Sequence, residues 1–302
     1  MTEPIEHMKY FDNRIQFNEM GININRATNE VEFTDAHELG VDTSLKNKPV
    51  IDTTTIPGTT IYSIFQRNDK LALDGNPLIY ALKGDSKWWM SDENKNKLLA
   101  RINEVIDKFC QMHPSDFTIV VPSHSRLNST FGKMIHDSLM RVGKQNIVIE
   151  NLLVKMTVDE VEDEMFKEDS PFVDEFGDDI DFVWNELRES FSRMEDENDG
   201  IFSYKMVKPP MYRKYILKTL KYSDEEYARE LASKMPGKNI LIIDDTVTFG
   251  RTLNNAVELT SNMRKLKRDV DSIEEMSPRS ISILTLMSVK KKLKSKRKRK
   301  RI

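Results

Sequence analysis

A short apolar run followed by two carboxylates constrains the fold of this chain more than any other feature. Residues 240–243 read Ile-Leu-Ile-Ile, and Asp244 and Asp245 come directly after them. An unbroken run of this kind, rich in β-branched residues, is typical of a strand buried on both faces of a parallel sheet. Ligands of open α/β sheets bind outside the carboxyl ends of the strands, where acidic groups can accept hydrogen bonds from ribose hydroxyls. The run therefore predicts an α/β sheet with a ligand site at the end of this strand.

The turn after the acid pair is suited to phosphate binding. A helical pattern follows the turn, whose residues are Thr246, Val247, Thr248, Phe249, Gly250, Arg251 and Thr252. Backbone N–H groups at a helix start can surround a phosphate together with threonine hydroxyls, and a glycine permits close approach or a positive φ. A Walker-B strand ends similarly, but it requires a Gly-x-x-x-x-Gly-Lys-Ser/Thr loop that this sequence lacks. A generic buried strand with two solvated acids is the other alternative.

This segment resembles the phosphoribosyl pyrophosphate (PRPP) motif of type I phosphoribosyltransferases, four apolar residues followed by Asp-Asp-x-x-Thr-x-Gly-x-Thr. Every fixed position matches, although Phe249 stands where the family more often has a small or hydroxylated residue. The resemblance implies that Asp244 and Asp245 bind the ribose hydroxyls of PRPP. It also implies that residues 246–252 bind the 5′-phosphate.

Upstream motifs resemble the ComF-type branch of this family. Pro77-Leu-Ile-Tyr-Ala-Leu-Lys-Gly84 is similar to its "LK-G" helix, and Ile119-Val-Val-Pro-Ser-His-Ser-Arg126 to its "VP" strand and arginine-bearing loop. These motifs are much less specific than the PRPP motif, and the four-cysteine zinc ribbon of ComF proteins is absent from the sequence. The resemblance implies a pyrophosphate site whose candidates are Ser123, His124, Ser125, Arg126 and Lys155. A surface histidine and a solvated strand end are the alternative interpretations of His124 and Lys155.

The chemistry implied by the resemblance is displacement of pyrophosphate from C1′ of PRPP by a ring nitrogen of a nucleobase or related acceptor. Mg²⁺ is the implied cofactor, held by substrate phosphates and the acid pair. The implied catalytic residues are Asp244, Asp245 and Arg126, with Arg126 stabilising the charge of the departing pyrophosphate. Thr248 stands where 6-oxopurine enzymes have a base-contacting Asp, which argues against a hypoxanthine/guanine enzyme. A non-catalytic PRPP or nucleotide sensor and a nucleic-acid-associated scaffold are the alternative functions.

Motifs and composition divide the chain into three parts. Residues 1–76 are an N-terminal extension with short strands, residues 77–288 a phosphoribosyltransferase-like parallel sheet flanked by helices, and residues 289–302 a basic tail. Within the second part, 156–215 is an acidic insertion and, with the extension, a candidate hood for the acceptor. Its basic end, Lys205–Lys214, is a candidate lid, and an ordinary linker is the alternative.

Apolar periodicity predicts the secondary structure of the central part. The predicted strands are Ile61–Ile64, Phe117–Val121, Asn146–Val154, Ile240–Ile243 and Ser280–Met287. One predicted helix starts at Pro77. The others cover Ser91–Met112, 130–142, Asp224–Met235 and Thr252–Lys267.

Charge is distributed unevenly along the chain. Ten of the twelve residues from Lys290 to Arg301 are basic, and the other 290 residues have a net charge of -13. The block Asp159–Asp199 contains 18 acids and three basic residues. Blocks of like charge are typical of solvated, mobile segments. The tail also suits nonspecific contact with nucleic acid, or with the acidic block.

The remaining composition favours a cytoplasmic protein. The single cysteine, Cys110, excludes an internal disulfide and suits a reducing compartment. No stretch reaches the length of an apolar membrane span, and no signal peptide is visible at the N-terminus. Dimers are common in the family that the sequence resembles, so a homodimer is among the expected assemblies.

Overall fold

A computed structural model describes most of the chain. The described residues are 21–25, 27–34, 41–43, 45, 48–67, 75–84, 87–123, 125–247, 250–266 and 278–289. His124, Thr248, Phe249, the first 20 residues and the tail from Lys290 lie outside these ranges.

The described strands and helices alternate through the central part of the chain. The strands are β1 Gly21–Asn25, β2 Glu30–Thr34, β3 Val41–Asp42, β4 Val50–Asp52, β5 Thr60–Arg67, β6 Phe117–Val120, β7 Ile147–Ile149, β8 Leu153–Lys155, β9 Leu220–Tyr222, β10 Asn239–Val247 and β11 Ser280–Val289. The α-helices are α1 Gly75–Lys83, α2 Asp92–Met112, α3 Leu127–Arg141, α4 Val158–Met165, α5 Pro171–Phe176, α6 Ile180–Glu197, α7 Glu225–Ala232 and α8 Arg251–Asn262. Short 3-10 helices cover Gly177–Asp179, Pro210–Tyr215 and Met263–Leu266.

One mixed, mostly parallel sheet organises the molecule. Its strand order is β3-β5-β11-β10-β6-β7, with β4 also paired to β5. Strands β5, β11, β10, β6 and β7 run parallel, whereas β3 and β4 are antiparallel to β5. The α/β class and the mostly parallel sheet flanked by helices are thus confirmed.

Two apolar cores cover the two faces of the sheet. Helices α1, α2 and α3 and the β1–β2 hairpin pack on one face, and α7 and α8 pack on the other. Along β10, Leu241 and Ile243 belong to the first core, and Ile240 and Ile242 to the second. Burial on both faces explains why this strand is a continuous apolar run rather than an alternating pattern.

Two predicted strand limits are wrong. The segment 146–154 is not one strand, because the chain turns at the exposed Glu150 and Asn151. Its second half, β8, pairs antiparallel with β9 in a separate sheet. Strand β10 also extends past Ile243 to Val247, because β11 offers backbone partners as far as Ser288.

The extension and the main sheet are joined by hydrogen bonds. Strand β5 pairs with β11 in parallel along its length, from Thr60 to Arg67. The sheet therefore includes residues that precede position 77. Helix α3 likewise begins at Leu127, three residues before the predicted start.

The acidic insertion is folded into helices around its own apolar core, rather than being the solvated, mobile segment that its charge predicts. It lies between β8 and β9, and its core residues fall between Met156 and Ile216. The apolar residues of α6 recur at helical spacing and are buried together, as in Val183, Leu187, Phe191 and Met194. The carboxylates occupy the opposite, exposed faces, so the high charge does not prevent folding.

Cys110 is buried in α2, and burial raises the pKa of its thiol to about 11. This agrees with a packing role for Cys110. None of the helices in the described ranges combines the length and apolarity needed to cross a bilayer.

The insertion core should be tested with two phenylalanines of opposite burial. Phe172→Ala removes a fully buried ring and should lower the free energy of unfolding by about 3–5 kcal/mol. Phe182→Ala, at a position 68% exposed, is the matched control and should change it by less than about 0.5 kcal/mol. Urea unfolding monitored by circular dichroism measures the free energy of unfolding of both variants. Equal losses of stability would contradict the described core.

Candidate functional site

The candidate site lies where the connections after two neighbouring strands lead towards opposite edges of the sheet. After β6 the chain passes through α3 to β7, and after β10 it passes through α8 to β11, on the other side. Strands β6 and β10 are adjacent and parallel, with Val120 beside Ile243. A crevice at the carboxyl ends of two such strands is the usual ligand site of open α/β sheets. The turn after β6 and the Asp244–Asp245 pair both lie at this edge.

Asp244 is held by hydrogen bonds from two neighbouring groups. The Asn128 side-chain amide donates to Asp244 Oδ1 at 3.1 Å, and the Asp245 backbone N–H donates to the same oxygen at 2.8 Å. Burial, followed by the charge of Asp245, raises the pKa of Asp244, and these two hydrogen bonds only partly oppose the shift. The carboxyl group therefore keeps its proton to a higher pH than an exposed aspartate.

Asn128 is a site residue that the sequence did not reveal. It is buried at the first turn of α3, and its amide also donates to the Val121 carbonyl oxygen at 2.9 Å. It thereby links the end of β6 to the acid pair on β10. Its only sequence signal was its position two residues after Arg126, in the polar turn.

Asp245 is neutralised by a lysine from another element. Lys83, in the last turn of α1, forms an ion pair with Asp245 Oδ2. The hydroxyl of Thr246 donates to Asp245 Oδ1 at 3.0 Å. The Thr246 hydroxyl thus binds the acid pair, although the sequence assigned Thr246 to the phosphate loop. Its position within β10 accounts for this difference.

One further lysine, Lys155, lies near the acid pair, and another, Lys205, lies over a ring of α1. Lys155, at the end of β8, is close enough to Asp244, Asp245, Lys83 and Lys205 for the charge of each to affect its pKa. Burial is the largest effect, and the net result is a lowered Lys155 pKa. Lys205, from the helical insertion, has its Nζ atom 5.2 Å from the ring centroid of Tyr80 on α1. The sequence named Lys155 as a candidate and gave Lys83 no role.

Both the backbone conformation and the neighbouring atoms require a glycine at position 250. Its φ is 72°, in the left-handed region, and a Cβ atom there would lie 2.6 Å from Thr55 Cγ2. Thr55 belongs to a turn in which the Asp52 carboxylate accepts from the backbone and hydroxyl of Thr54 and of Thr55. The extension therefore packs directly on the predicted phosphate loop.

Helix α8 begins at Arg251 without a side-chain cap, so its first backbone N–H groups remain available to an anion. Thr252 lies in this first turn and is partly buried, whereas Val247 is buried within β10. Thr248 and Phe249 are outside the described residues. The described part of the turn therefore keeps the helix start that the phosphate prediction requires.

The polar turn after β6 contains the remaining candidates. Ser123 Oγ accepts from the Ser125 backbone N–H at 3.4 Å, and Ser125 Oγ accepts from the Leu127 N–H at 3.3 Å. Arg126 is exposed just before α3. These side chains share the carboxyl edge with the acid pair, while His124 lies outside the described residues.

The acid pair suits a cation that is carried by a substrate. Within the described ranges, no three His, Cys, Asp or Glu side chains are grouped closely enough to hold a metal ion. Mg²⁺ often uses one or two carboxylates together with substrate phosphates and water. A cation would also favour the charged form of Asp244, whose pKa is raised by burial and then by the charge of Asp245. The residues present therefore fit Mg²⁺ brought by a phosphorylated ligand.

The chain matches no protein-family model, no curated protein and no solved structure. The functional argument therefore depends on the residues and their arrangement. The structure brings together Asp244, Asp245, Lys155 and the turn after β6. It adds Asn128 and Lys83 to them.

Gly250→Ala should destabilise the protein more than Gly143→Ala. Both glycines have a φ of 72°, but nothing lies within 4 Å of a Cβ built at Gly143. Gly143→Ala, the control, should lose about 1–2 kcal/mol of unfolding free energy for the left-handed backbone alone. Gly250→Ala should lose more because its Cβ would also meet the Thr55 methyl group. Adding Thr55→Ser to Gly250→Ala should restore part of the difference. Equal urea midpoints for the two single variants would contradict the close approach.

The free energy of unfolding should contain a pH-dependent contribution from Asp244. Its raised pKa means that the folded state binds a proton that the unfolded chain has already lost. This contribution is complete below the ordinary aspartate pKa and is lost as pH rises to the folded pKa, so stability should fall from about pH 4 and level off above about pH 7. Asp244→Asn should remove that part of the slope. Urea unfolding in EDTA measures it, and identical slopes in both proteins would contradict the shift.

Proposed function

We propose that the chain is a Mg²⁺-dependent phosphoribosyltransferase. It would transfer the 5-phosphoribosyl group from PRPP to a nucleobase or related nitrogen acceptor and release pyrophosphate. The observation that carries the proposal is the position of Asp244 and Asp245, at the chain reversal and on the strand that leads to Gly250 and the uncapped start of α8. Carboxylate acceptors and helix-start N–H groups thus lie on one continuous segment, which supports binding of a ribose and its 5′-phosphate there.

The proposal includes the type I phosphoribosyltransferase fold. Five parallel strands between two helical layers support it, as does the match of residues 240–252 to the PRPP motif. The strand, turn and helix follow one another in the order that the motif requires.

Each described group has a role that follows from its chemistry. Asp244 and Asp245 accept hydrogen bonds from the ribose hydroxyls, with Asn128 orienting Asp244. The N–H groups at the start of α8 hold the 5′-phosphate. Arg126, exposed at the same edge, stabilises the negative charge that develops on pyrophosphate as its bond to C1′ breaks.

Mg²⁺ would be held by Asp244, Asp245 and the substrate phosphates, and would supply positive charge to the leaving pyrophosphate. The ion pair between Lys83 and Asp245 neutralises one carboxylate. Ribose binding must therefore share or replace this contact.

Calorimetric titration with Mg·PRPP is the direct test. The wild type should bind saturably, and Asp244→Asn/Asp245→Asn should weaken binding by at least about 100-fold, because hydrogen bonds to charged groups contribute about 1.5–3 kcal/mol each. Asp107→Asn, which changes a carboxylate on the surface of α2, is the control and should bind like the wild type. Circular dichroism checks that each variant is folded.

A folded wild type that does not bind Mg·PRPP would overturn the proposal. If PRPP binds, a panel of nucleobases with detection of released pyrophosphate separates an enzyme from a sensor. Pyrophosphate release that depends on one base would establish transfer and identify the acceptor. Binding without release for any base would favour sensing.

A further inference from the structure

Strand β7 lies at one edge of the main sheet and has a partner strand on one side. It pairs in parallel with β6, and none of the described strands pairs with its other side. The Ile147 N–H donates to the Asp116 carbonyl oxygen, on the β6 side, at 3.0 Å. Alternate residues of a strand direct their backbone groups to opposite sides, so the N–H and C=O of Val148 point away from β6. These two groups are available to an extended chain at the edge of the sheet.

A groove of about 670 Å³ lies beside this free edge. Its lining includes Val148 and Ile149 of β7, Glu150 in the turn after β7, and Asp224 and Tyr227 around the start of α7. The groove therefore combines the free edge of a strand with two carboxylates and an aromatic ring.

The two carboxylates of the groove are not neutralised by a neighbouring cation. Glu150 and Asp224 are exposed, and neither forms an ion pair with a lysine or arginine of the described ranges. Asp224 Oδ1 accepts from the backbone N–H groups of Glu226 and Tyr227 at 2.7 and 3.1 Å, which holds this carboxylate at the start of α7. The Tyr227 side chain is 38% exposed, and a tyrosine ring can bind a cation on its face. The lining thus favours a basic polypeptide in an extended conformation.

The chain itself contains a segment of this chemistry. Ten of the twelve residues 290–301, the basic segment, are lysine or arginine. The segment follows Val289, the last residue of β11. Strands β11, β10, β6 and β7 are neighbours in this order and run parallel, so Val289 and Ile149 lie at the same edge of the sheet. Three strand spacings of about 4.8 Å, or roughly 14 Å, separate β11 from β7.

The basic segment is long enough to reach the groove. About five extended residues cover roughly 14 Å, at about 3.3 Å per residue. Residues 295–301 then remain for the groove, and six of these seven are basic. A segment that is joined to its binding site has an effective concentration on the order of millimolar, so a few contacts are sufficient.

We propose that the groove beside β7 binds the basic segment 290–301 of the same chain. The backbone of the segment pairs with the N–H and C=O of Val148 and so extends the sheet by a short strand. Its lysine and arginine side chains pair with Glu150 and Asp224, and one of their aliphatic stems packs on the Tyr227 ring. The inference depends neither on PRPP nor on the proposed function.

The helical insertion offers the segment an alternative acidic surface. Some of its carboxylates already have partners, since Glu160 pairs with Lys221 and Glu164 with Lys218. Others, such as Asp178 and Asp179, are exposed on a short 3-10 helix. A solvated carboxylate surface attracts a basic segment without fixing its position. The groove fixes it, because backbone groups and a ring accompany the two carboxylates.

Hydrogen–deuterium exchange at the Val148 N–H, followed by NMR on the full chain, tests the contact. Glu150→Gln/Asp224→Asn should speed this exchange by about tenfold or more, the equivalent of one charged hydrogen bond. Asparagine caps a helix as well as aspartate does, so α7 should remain intact. Asp178→Asn/Asp179→Asn removes the same charge from the insertion, and should exchange like the wild type. Equal Val148 rates in the wild type and the groove variant would overturn the proposal.

Carbodiimide cross-linking of an equal mixture of unlabelled and 15N-labelled full chains identifies the partner of the groove. Mass spectrometry should find lysines of 290–301 linked to Glu150 or Asp224 within one chain, and about 1 M salt should abolish these links. Links between labelled and unlabelled chains would overturn binding within one chain and assign the groove to a second copy. Links to the insertion carboxylates alone, or none from the segment, would overturn the groove as its binding site.

Discussion

The parallel pairing of β10 between β6 and β11 brings the acid pair and the turn after β6 together in the candidate site. Pairing with β6 ends at Ile243, just before the acid pair, while pairing with β11 continues to Val247. At Asp244 and Asp245 the backbone of β10 therefore has a strand partner only on the β11 side. The turn after β6 fills the open side, and Asn128 joins it to Asp244. The hydrogen-bond register of the sheet thus determines which residues meet at the candidate site.

Electrostatics explains why residues distant in sequence converge there. Two adjacent carboxylates at a buried edge repel each other, so the structure supplies Lys83 from α1 and hydrogen bonds from Asn128. Both acids also favour the charged form of the nearby Lys155, although the burial of Lys155 has the larger effect and lowers its pKa.

Local patterns predicted the parts of the fold that local physics determines. Ile240–Ile243 had to be a buried strand because it is apolar throughout, and Gly250 had to mark a special backbone position. The division of residues 146–154 into β7 and β8 escaped prediction because both halves are apolar and extended, and only their partners differ. The helical core of the insertion was not predicted because the segment is so highly charged. Its apolar residues lie at helical spacing, but composition alone suggested a solvated segment.

By itself, the sequence determined the α/β class, the acid pair, the glycine turn and the resemblance to a PRPP motif. These depend on residues that are close together in the chain, where spacing directly sets geometry. Only the tertiary structure decided that Lys83 and Asn128 contact the acid pair, that Lys205 lies over Tyr80 and that Thr55 packs on Gly250. These contacts join positions far apart in the chain, and no local periodicity records such distances. They follow from the strand order and from the way in which the insertion docks beside the sheet.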